Sequence, residues 1–530
     1  MKKWGPLVIL AAASFLMTLD QAVMNVSISQ LVIDLHTSVT TIQAVITLYS
    51  LVMAMFMVIG GKIGDLIGRR RAFIIGLVIY GFGSATTALA SNVVVLGLGW
   101  SVLEGLGAAL VLPALAALIA GNYENRDRIT AYSIIGGVAG AAIAVGPIVG
   151  GWATTQLSWR VVFVGEVVVV LAILASSRLL KDSPSDGAKP KLDVVGGVLV
   201  GLGLGAVVFG ILQAGTWGWL QPNNSPITPF GFSLSPFVIA AGGLLLWAFV
   251  GWQRHRMTAG KDPLVHLKLF SISTLRSGLE TALGQMLILM AVFFTIPLYL
   301  QLVLGLNALQ TGTRMLPVSI AMFLASLAGA RLTTVLSIRT IVQLGMGVVV
   351  LATLLLVGTI QPTLDGAMFA TSMGLLGIGM GLVASQLGNV VQSSVNASER
   401  GEAGGLQYTA QQLGAALGVA LIGAIVLSGL VSNFTAQVSS DPRISTEVAQ
   451  QVGIAVSGHA SFVPASAITE AGKKANLPPE TIQALVDAYS EAQLRSLKVG
   501  LLGTAAIGLG SIVFTSKLPK KKLSPQPVSA

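Results

Sequence analysis

The sequence predicts an all-α integral membrane protein with fourteen transmembrane helices, built as two six-helix bundles with two further helices inserted between them. The composition is 54% hydrophobic and 10% charged, with a mean hydropathy of +0.82. A soluble protein of 530 residues would need more polar surface than this. Apolar runs long enough to cross about 30 Å of hydrocarbon recur along the chain, and a faint internal repeat relates its two halves.

The first apolar run, residues 6–28, is too long for the hydrophobic region of a cleaved signal peptide and contains an acid, Asp20. We therefore predict that it is retained as the first span. The other spans are predicted at about 42–60, 72–91, 94–120, 130–154, 161–179, 194–214, 235–252, 278–302, 311–333, 339–360, 366–389, 404–431 and 497–516.

An offset of 274 residues aligns the two halves, because Arg126 then falls on Arg400 and Gly140 on Gly414. Such a repeat indicates two parallel half-bundles. The predicted domains are an N-terminal bundle at 1–185, two inserted helices at 186–260, a C-terminal bundle at 261–516 with an extracytoplasmic loop at 432–496, and a basic cytoplasmic tail at 517–530.

The distribution of Lys and Arg predicts the orientation. With the N-terminus inside, the segments assigned to the cytoplasm hold 24 of the 31 cations, as the positive-inside rule requires. An even number of spans then places both termini in the cytoplasm, and we predict that the protein lies in the plasma membrane. The same rule explains the net charge of +10, so we predict no nucleic-acid partner.

Several function classes are disfavoured by absent residues. Cysteine is absent, the four histidines fall outside the predicted spans, and the chain lacks the Gly-x4-Gly-Lys-Ser/Thr loop that binds nucleotide phosphates. We predict that the protein is not an enzyme or an ATP-driven pump, and that it holds no metal and no cofactor.

Ionisable residues inside the predicted spans are candidates for substrate or proton binding. They are Asp20, Glu104, Glu166 and Glu280, and Asn25 stands five residues after Asp20 on the first span. An acid in the membrane usually faces a bundle interior or a cavity, where it can take up and release a proton. A cationic substrate that competes for such an acid would displace the proton, which is the physical basis of antiport.

Alternative interpretations remain for three of these acids. Asp20 lies near the outer end of its span and could reach the interface. Glu104 lies mid-span and could make a hydrogen bond to a neighbouring helix, and Glu280 stands beside Arg276, with which it could form a plain ion pair.

Two glycine-rich stretches are candidates for conformational control. The first, Gly60-Gly61-Lys62-Ile63-Gly64-Asp65-Leu66-Ile67-Gly68-Arg69-Arg70-Arg71, joins the second and third spans, and its cations exclude it from lipid. The second lies in the fifth span, where Gly146 and Gly150 share one helix face beside Pro147. Either a hinge or ordinary helix packing would explain this second stretch.

The first stretch is similar to a loop motif of the major facilitator superfamily, and the whole chain resembles the fourteen-span drug:proton antiporters of the EmrB/QacA type. The matching residues are Gly61, Asp65, Gly68, Arg69, Arg70 and Arg71. The resemblance implies a major facilitator fold. It also implies that the loop acts as a latch, with Asp65 against a helix N-terminus and the arginines paired to a neighbouring span.

Two more motifs support the resemblance. Gly146-Pro147-x2-Gly150-Gly151 is similar to the antiporter motif of the fifth span, with Ala142 in place of its leading glycine. Leu19-Asp20 with Asn25 is similar to a first-span motif in which the acid is associated with substrate or proton binding.

The sequence departs from the family pattern in two spans. Ser101 stands where the fourth-span motif has an arginine linked to proton transfer, with Glu104 close by, and Glu166 stands where the sixth span has an asparagine. We hypothesise that Glu104 and Glu166 take over part of the proton or cation handling.

The resemblance implies a monomeric secondary transporter that exports amphipathic, cationic small molecules in exchange for protons, with the proton gradient as its energy source. Two alternatives remain at this point. The chain could export a lipid or an endogenous metabolite, or it could be a membrane sensor that keeps the fold without transport.

Overall fold

The computed structural model describes residues 4–123, 125–182, 192–333, 335–396, 399–459 and 462–520. Fourteen helices in these residues are long and apolar enough to cross a membrane, which confirms the predicted fold class. They are α1 (Gly5–Val26), α2 (Val39–Ile67), α3 (Arg69–Ala88), α4 (Val93–Ile119), α5 (Gly137–Gln156), α6 (Arg160–Leu179), α7 (Val194–Trp217), α8 (Ser235–Thr258), α9 (Ser273–Val303), α10 (Ala308–Gly329), α11 (Ile338–Thr359), α12 (Gly366–Ser393), α13 (Glu402–Ser440) and α14 (Pro479–Lys517).

Shorter helices connect some of these spans. Ile28–Asp34 follows α1, and Thr446–His459 and Ala465–Lys474 lie between α13 and α14. The helix that contains α5 begins at Asn125. Residues 183–191, at the predicted boundary between the first bundle and the inserted helices, lie outside the described residues, as does the basic tail beyond residue 520.

The segment predicted as the loop 432–496 is largely helical in the structure, because the helices on both sides extend into it. The helix of α13 continues to Ser440, and α14 begins at Pro479 rather than near residue 497. The two extensions pack on each other. The rings of Phe434 and Tyr489 contact edge to face, with 5.2 Å between the ring centroids. The spans predicted from hydropathy ended earlier because these terminal turns mix polar and apolar residues, which can pack on each other without a continuous apolar run.

Glycines bring α3 and α4 into backbone contact. A Cβ atom on Gly83 would lie 2.8 Å from the Gly99 carbonyl oxygen, and one on Gly99 would lie 2.8 Å from the Thr87 amide nitrogen. Larger residues would force the helices apart. In this region α4 departs from α-helical geometry, since residues Gly97–Glu104 form a π-helix. Such wide turns are frequent at functional sites, and this one carries Glu104 against α3.

The inserted helices α7 and α8 are held together at one end by Asp193, which precedes α7. Its carboxylate accepts hydrogen bonds from Trp252 Nε1 at 2.9 Å, Gln253 Nε2 at 2.7 Å and the Gly196 amide at 2.9 Å, and Arg256 lies 3.5 Å away. Burial raises the pKa of Asp193, but these hydrogen bonds and the Arg256 charge lower it by more, so the pKa lies below its usual value. Asp193 is therefore an ionised helix cap.

The inserted pair touches both bundles. Along α7, a Cβ atom on Gly197 would meet Ile59 of α2 at 3.0 Å, and one on Gly215 would meet Cα of Ala424 in α13 at 3.0 Å. These two contacts lie near opposite ends of α7. The inserted helices therefore lie across the seam where α2 and α13 meet.

Candidate functional site

Three of the predicted acids meet inside the N-terminal bundle. One carboxylate oxygen each from Asp20 of α1, Glu104 of α4 and Glu166 of α6 lie within 4.8 Å of one another. The three residues are 0%, 0% and 2% exposed. They form what we call the acid cluster, and all three acids turn inward rather than toward the membrane surface.

Trp100 holds Asp20 in place. Its indole Nε1 donates to Oδ1 at 2.8 Å and to Oδ2 at 2.9 Å. The Trp100 ring stacks on Tyr49 of α2, with the ring centroids 4.5 Å apart and 5° between the planes. The Tyr49 hydroxyl lies beside Asp20, and it makes no hydrogen bond of ordinary geometry to the described residues although it is buried.

Hydroxyl groups of α3 face the two glutamates. Ser84 Oγ lies 3.0 Å and the Tyr80 hydroxyl 3.4 Å from Oε2 of Glu166. Thr87 Oγ1 lies 3.1 Å from Oε1 of Glu104. The second oxygen of each glutamate is buried and has no hydrogen-bond partner among the described residues. Four helices and a ring from a fifth therefore enclose three carboxyl groups, two of which have a free oxygen.

The acid cluster cannot hold three negative charges. Two unit charges at this separation repel by roughly 3 to 4 kcal/mol at an effective dielectric constant of about 20, and desolvation adds to that cost. In the described residues no Lys, Arg or His forms an ion pair with any of the three acids. The carboxyl groups must share protons or hold a cation.

Among the described residues, the two other candidate binding residues make no hydrogen bond to the acid cluster. The Asn25 amide Nδ2 donates to the Gln21 carbonyl at 2.8 Å. Glu280 lies near the start of α9, where it faces Arg276 at 3.7 Å, and both side chains are more than a third exposed. The structure thus shows the ion pair that the sequence offered as the alternative for Glu280.

The loop between α2 and α3 is a turn at Gly68, whose φ of +99° favours glycine. Asp65 forms an ion pair with Arg69, and Arg69 Nη1 donates to the Gly61 carbonyl at 3.2 Å.

Arg70 joins this loop to the chain after α6. Its backbone amide donates to Asp182 at 3.1 Å, and its Nε donates to the Ser177 carbonyl at 3.2 Å. Arg71 is exposed. In the described residues, the loop is therefore bound within itself and to the end of α6.

The glycines of α5 lie against α1 next to the acid. A Cβ atom on Gly146 would clash with Ala22, and one on Gly150 would lie 2.9 Å from Cα of Val23. Gly151 instead faces α10, where a Cβ atom would lie 2.5 Å from the Ala308 carbonyl oxygen.

Pro147 also faces α10, because a side chain on Gly312 would clash with its carbonyl oxygen. The stretch 146–151 thus packs on the helix of Asp20 with one face and on the C-terminal bundle with the other.

Sequence reasoning missed the uncharged residues of the site, which are Tyr49, Tyr80, Ser84, Thr87 and Trp100. A useful signal was available in Trp100, because an indole N–H inside an apolar span needs an acceptor. Ser84 and Thr87 stand three residues apart on α3, which also indicates one polar face.

Comparison with known proteins identifies the family. The family model described as Major Facilitator Superfamily matches residues 10–419. The probable actinorhodin transporter of Streptomyces coelicolor is 29% identical over 458 residues, which cover 84% of this chain and 77% of that protein. The multidrug efflux pump LfrA of Mycolicibacterium smegmatis is 27% identical over 471 residues, which cover 88% of this chain and 90% of that protein.

Solved structures agree on the fold. The crystal structure of a D-xylose-proton symporter superposes with a TM-score of 0.61 at 12% sequence identity, covering 99% of this chain and 100% of that one. At this level of identity the likeness concerns the fold alone. With the family match over most of its spans, the chain belongs to the Major Facilitator Superfamily, and it is a membrane transporter rather than an enzyme.

Proposed function

We propose that this protein exports amphipathic small molecules, cationic compounds among them, across the plasma membrane in exchange for protons. The relatives named above are called a probable actinorhodin transporter and a multidrug efflux pump, which supports export of such compounds. The observation that carries proton coupling is the acid cluster. It places Asp20, Glu104 and Glu166 together inside one bundle, where their charge depends on bound protons.

Alternating access is supported by where the bundles touch. Gln301 Nε2 donates to the Val26 carbonyl at 2.9 Å, and Gln43 Nε2 donates to the Val419 carbonyl at 3.0 Å. The Leu309 amide donates to Thr155 Oγ1 at 3.1 Å. Most of these residues lie toward the end of the helices that carries the loops after α1, α5 and α9. Under the predicted orientation this end faces outward, so the conformation is closed to the outside.

The contacts at this closed end are suited to repeated opening. They join amide and hydroxyl side chains to backbone groups, and each such bond contributes only about 1 kcal/mol net. At mid-depth, Gln21 Nε2 of α1 donates to Gln412 Oε1 of α13 at 3.2 Å. A substrate that occupies the space between the bundles would compete for these amides.

Substrate-driven proton flux in proteoliposomes tests this function. Purified protein is reconstituted with a pH-sensitive dye inside, and ethidium and a panel of neutral and anionic aromatic compounds are added in turn. We expect at least one compound to drive proton movement, and we expect Asp20→Asn to abolish it. Glu470→Gln, which changes an exposed acid between α13 and α14, serves as the control and should retain the flux.

Two results would contradict the proposal. Binding of panel compounds without any flux would support a membrane sensor. Export of a lipid from labelled vesicles, with no response to the compound panel, would support a lipid exporter.

A further inference from the structure

We propose that Asp20, Glu104 and Glu166 form a single site that binds two protons in this conformation, with Glu104 and Glu166 protonated and Asp20 ionised. The inference rests on the proposed function only for the role of these protons in transport. The protonation states themselves are inferred from the hydrogen-bond geometry and charge balance of the acid cluster.

The hydrogen bonds of Thr87 indicate a proton on Glu104. Thr87 Oγ1 lies 2.9 Å from the Gly83 carbonyl and 3.1 Å from Oε1 of Glu104. A hydroxyl group has one proton to donate, and a carbonyl oxygen can only accept. The Gly83 carbonyl lies nearer and takes at least part of this proton, so Thr87 has at most a shared proton to offer Glu104. A protonated carboxyl group can instead donate to Thr87 Oγ1, which a carboxylate cannot.

Asp20 has the surroundings of a carboxylate. Both of its oxygens accept from the Trp100 indole, and the Tyr49 hydroxyl, which is 1% exposed for the residue as a whole, lies beside it with its own hydrogen bond unmade. An indole N–H and a phenol O–H are both donors, and donors stabilise the charged form of an acid. Tyr49 belongs to α2, which carries none of the three acids.

Glu166 then carries the second proton. Its Oε2 faces Ser84 at 3.0 Å, and its Oε1 is buried without a partner. With Asp20 ionised within 4.8 Å, a second negative charge would be strongly disfavoured. Among the described residues, no Lys, Arg or His forms an ion pair with the acids, and the titratable side chains that face them from α2 and α3 are Tyr49 and Tyr80. A proton on Oε1 also gives this oxygen a hydrogen bond to donate into the acid cluster.

Infrared spectroscopy of the purified protein tests the inference without any substrate. Protonated carboxyl groups have a carbonyl stretch that is distinct from that of carboxylates and shifts in heavy water. We expect Glu104→Gln and Glu166→Gln each to remove part of this band at neutral pH. Glu470→Gln should leave the band unchanged, since it changes an exposed acid outside the acid cluster. Glu104→Asp keeps an acid at the site and should retain the acid band. It serves as the comparison if the Gln variant folds poorly.

The same samples distinguish bound protons from a bound metal cation. They are measured in choline chloride and again in sodium, lithium or magnesium chloride at constant pH. A band that is unaffected by the salt supports two bound protons. The inference is overturned if the acid band is absent from the wild-type protein, if neither Gln variant changes it, or if one of the metal salts abolishes it. None of these results would by itself contradict proton-coupled export.

Discussion

The ring of Tyr49 lies flat on the indole of Trp100, with 4.5 Å between the centroids and 5° between the planes. This stacking fixes the Trp100 N–H at both oxygens of Asp20. Since Tyr49 belongs to α2, which also meets α13 of the other bundle, the acid is linked through two rings to a helix at the seam. Rotation of α2 during the transport cycle would move the Tyr49 ring and with it the Trp100 N–H that donates to Asp20.

Trp100→Phe should slow transport while leaving the protein folded. Phenylalanine keeps the stacking surface but loses the N–H, and a hydrogen bond to a charged group contributes about 1.5 to 3 kcal/mol. We expect substrate-driven proton flux in proteoliposomes to fall by at least about tenfold. Trp247→Phe, at a residue that is 76% exposed in α8, provides the control. Equal rates for the two variants would show that the indole hydrogen bond has no role in transport.

The number of protons exchanged per substrate should be two. If the acid cluster releases both stored protons, two charges moving through 100 mV supply roughly 4.6 kcal/mol, and a neutral substrate could be concentrated to the square of the ratio that one proton sustains. The measurement is the pH gradient that exactly balances a known substrate gradient in proteoliposomes. Glu104→Gln should reduce the ratio toward one, and a wild-type ratio of one would contradict release of both protons.

Gly150→Ala should impair both transport and stability. The added methyl group would lie 2.9 Å from Cα of Val23, three residues after Asp20, and overpacking of this kind costs about 1 to 3 kcal/mol. We expect the dye-efflux rate to fall and the melting temperature to drop.

A matched control for this variant lies in the same helix. A Cβ atom on Gly137 has no neighbour within 4 Å, so Gly137→Ala should retain both the dye-efflux rate and the melting temperature. If Gly150→Ala behaved in the same way, close packing of α5 on α1 would not be needed.

The sequence predicted the fold and the three buried acids because both follow from solvation. Apolar runs of sufficient length predict membrane spans. Asp20, Glu104 and Glu166 are recognisable as candidates because a charged residue inside a span is costly. Their convergence could not be predicted, because it depends on the rotation of α4 about its axis. The π-helical stretch Gly97–Glu104 changes that rotation. The spans predicted from hydropathy also ended short of the helices α13 and α14, since helical turns that mix polar and apolar residues leave a weak hydropathy signal.

Gly68→Ala should destabilise the loop between α2 and α3. An L-residue at φ +99° is strained by roughly 1 to 2 kcal/mol, and its Cβ atom would lie 2.9 Å from Oδ2 of Asp182. Asp182 would lose its hydrogen bond from the Arg70 amide. Thermal unfolding in detergent measures the effect. Gly347→Ala, in α11 with no neighbour within 4 Å, should leave the unfolding temperature close to that of the wild type.

Asp193→Asn should loosen the inserted pair α7 and α8, and acid should do the same to the wild type. The pKa of Asp193 is lowered in the folded protein, so the ionised form is the one that folding stabilises. Its contribution is complete above the unfolded-state pKa of about 4 and is lost as the pH falls through the lower folded-state value.

The test compares how the unfolding temperature depends on pH in three proteins. Wild type and Glu470→Gln should lose stability in parallel as the pH falls below about 4. At neutral pH, the free energy of unfolding of Asp193→Asn should be lower than that of the wild type by about 1 to 3 kcal/mol. The resulting gap in unfolding temperature should close in acid. A gap of constant size at every pH would show that the charge of Asp193 does not stabilise the helix pair, and that only its shape matters.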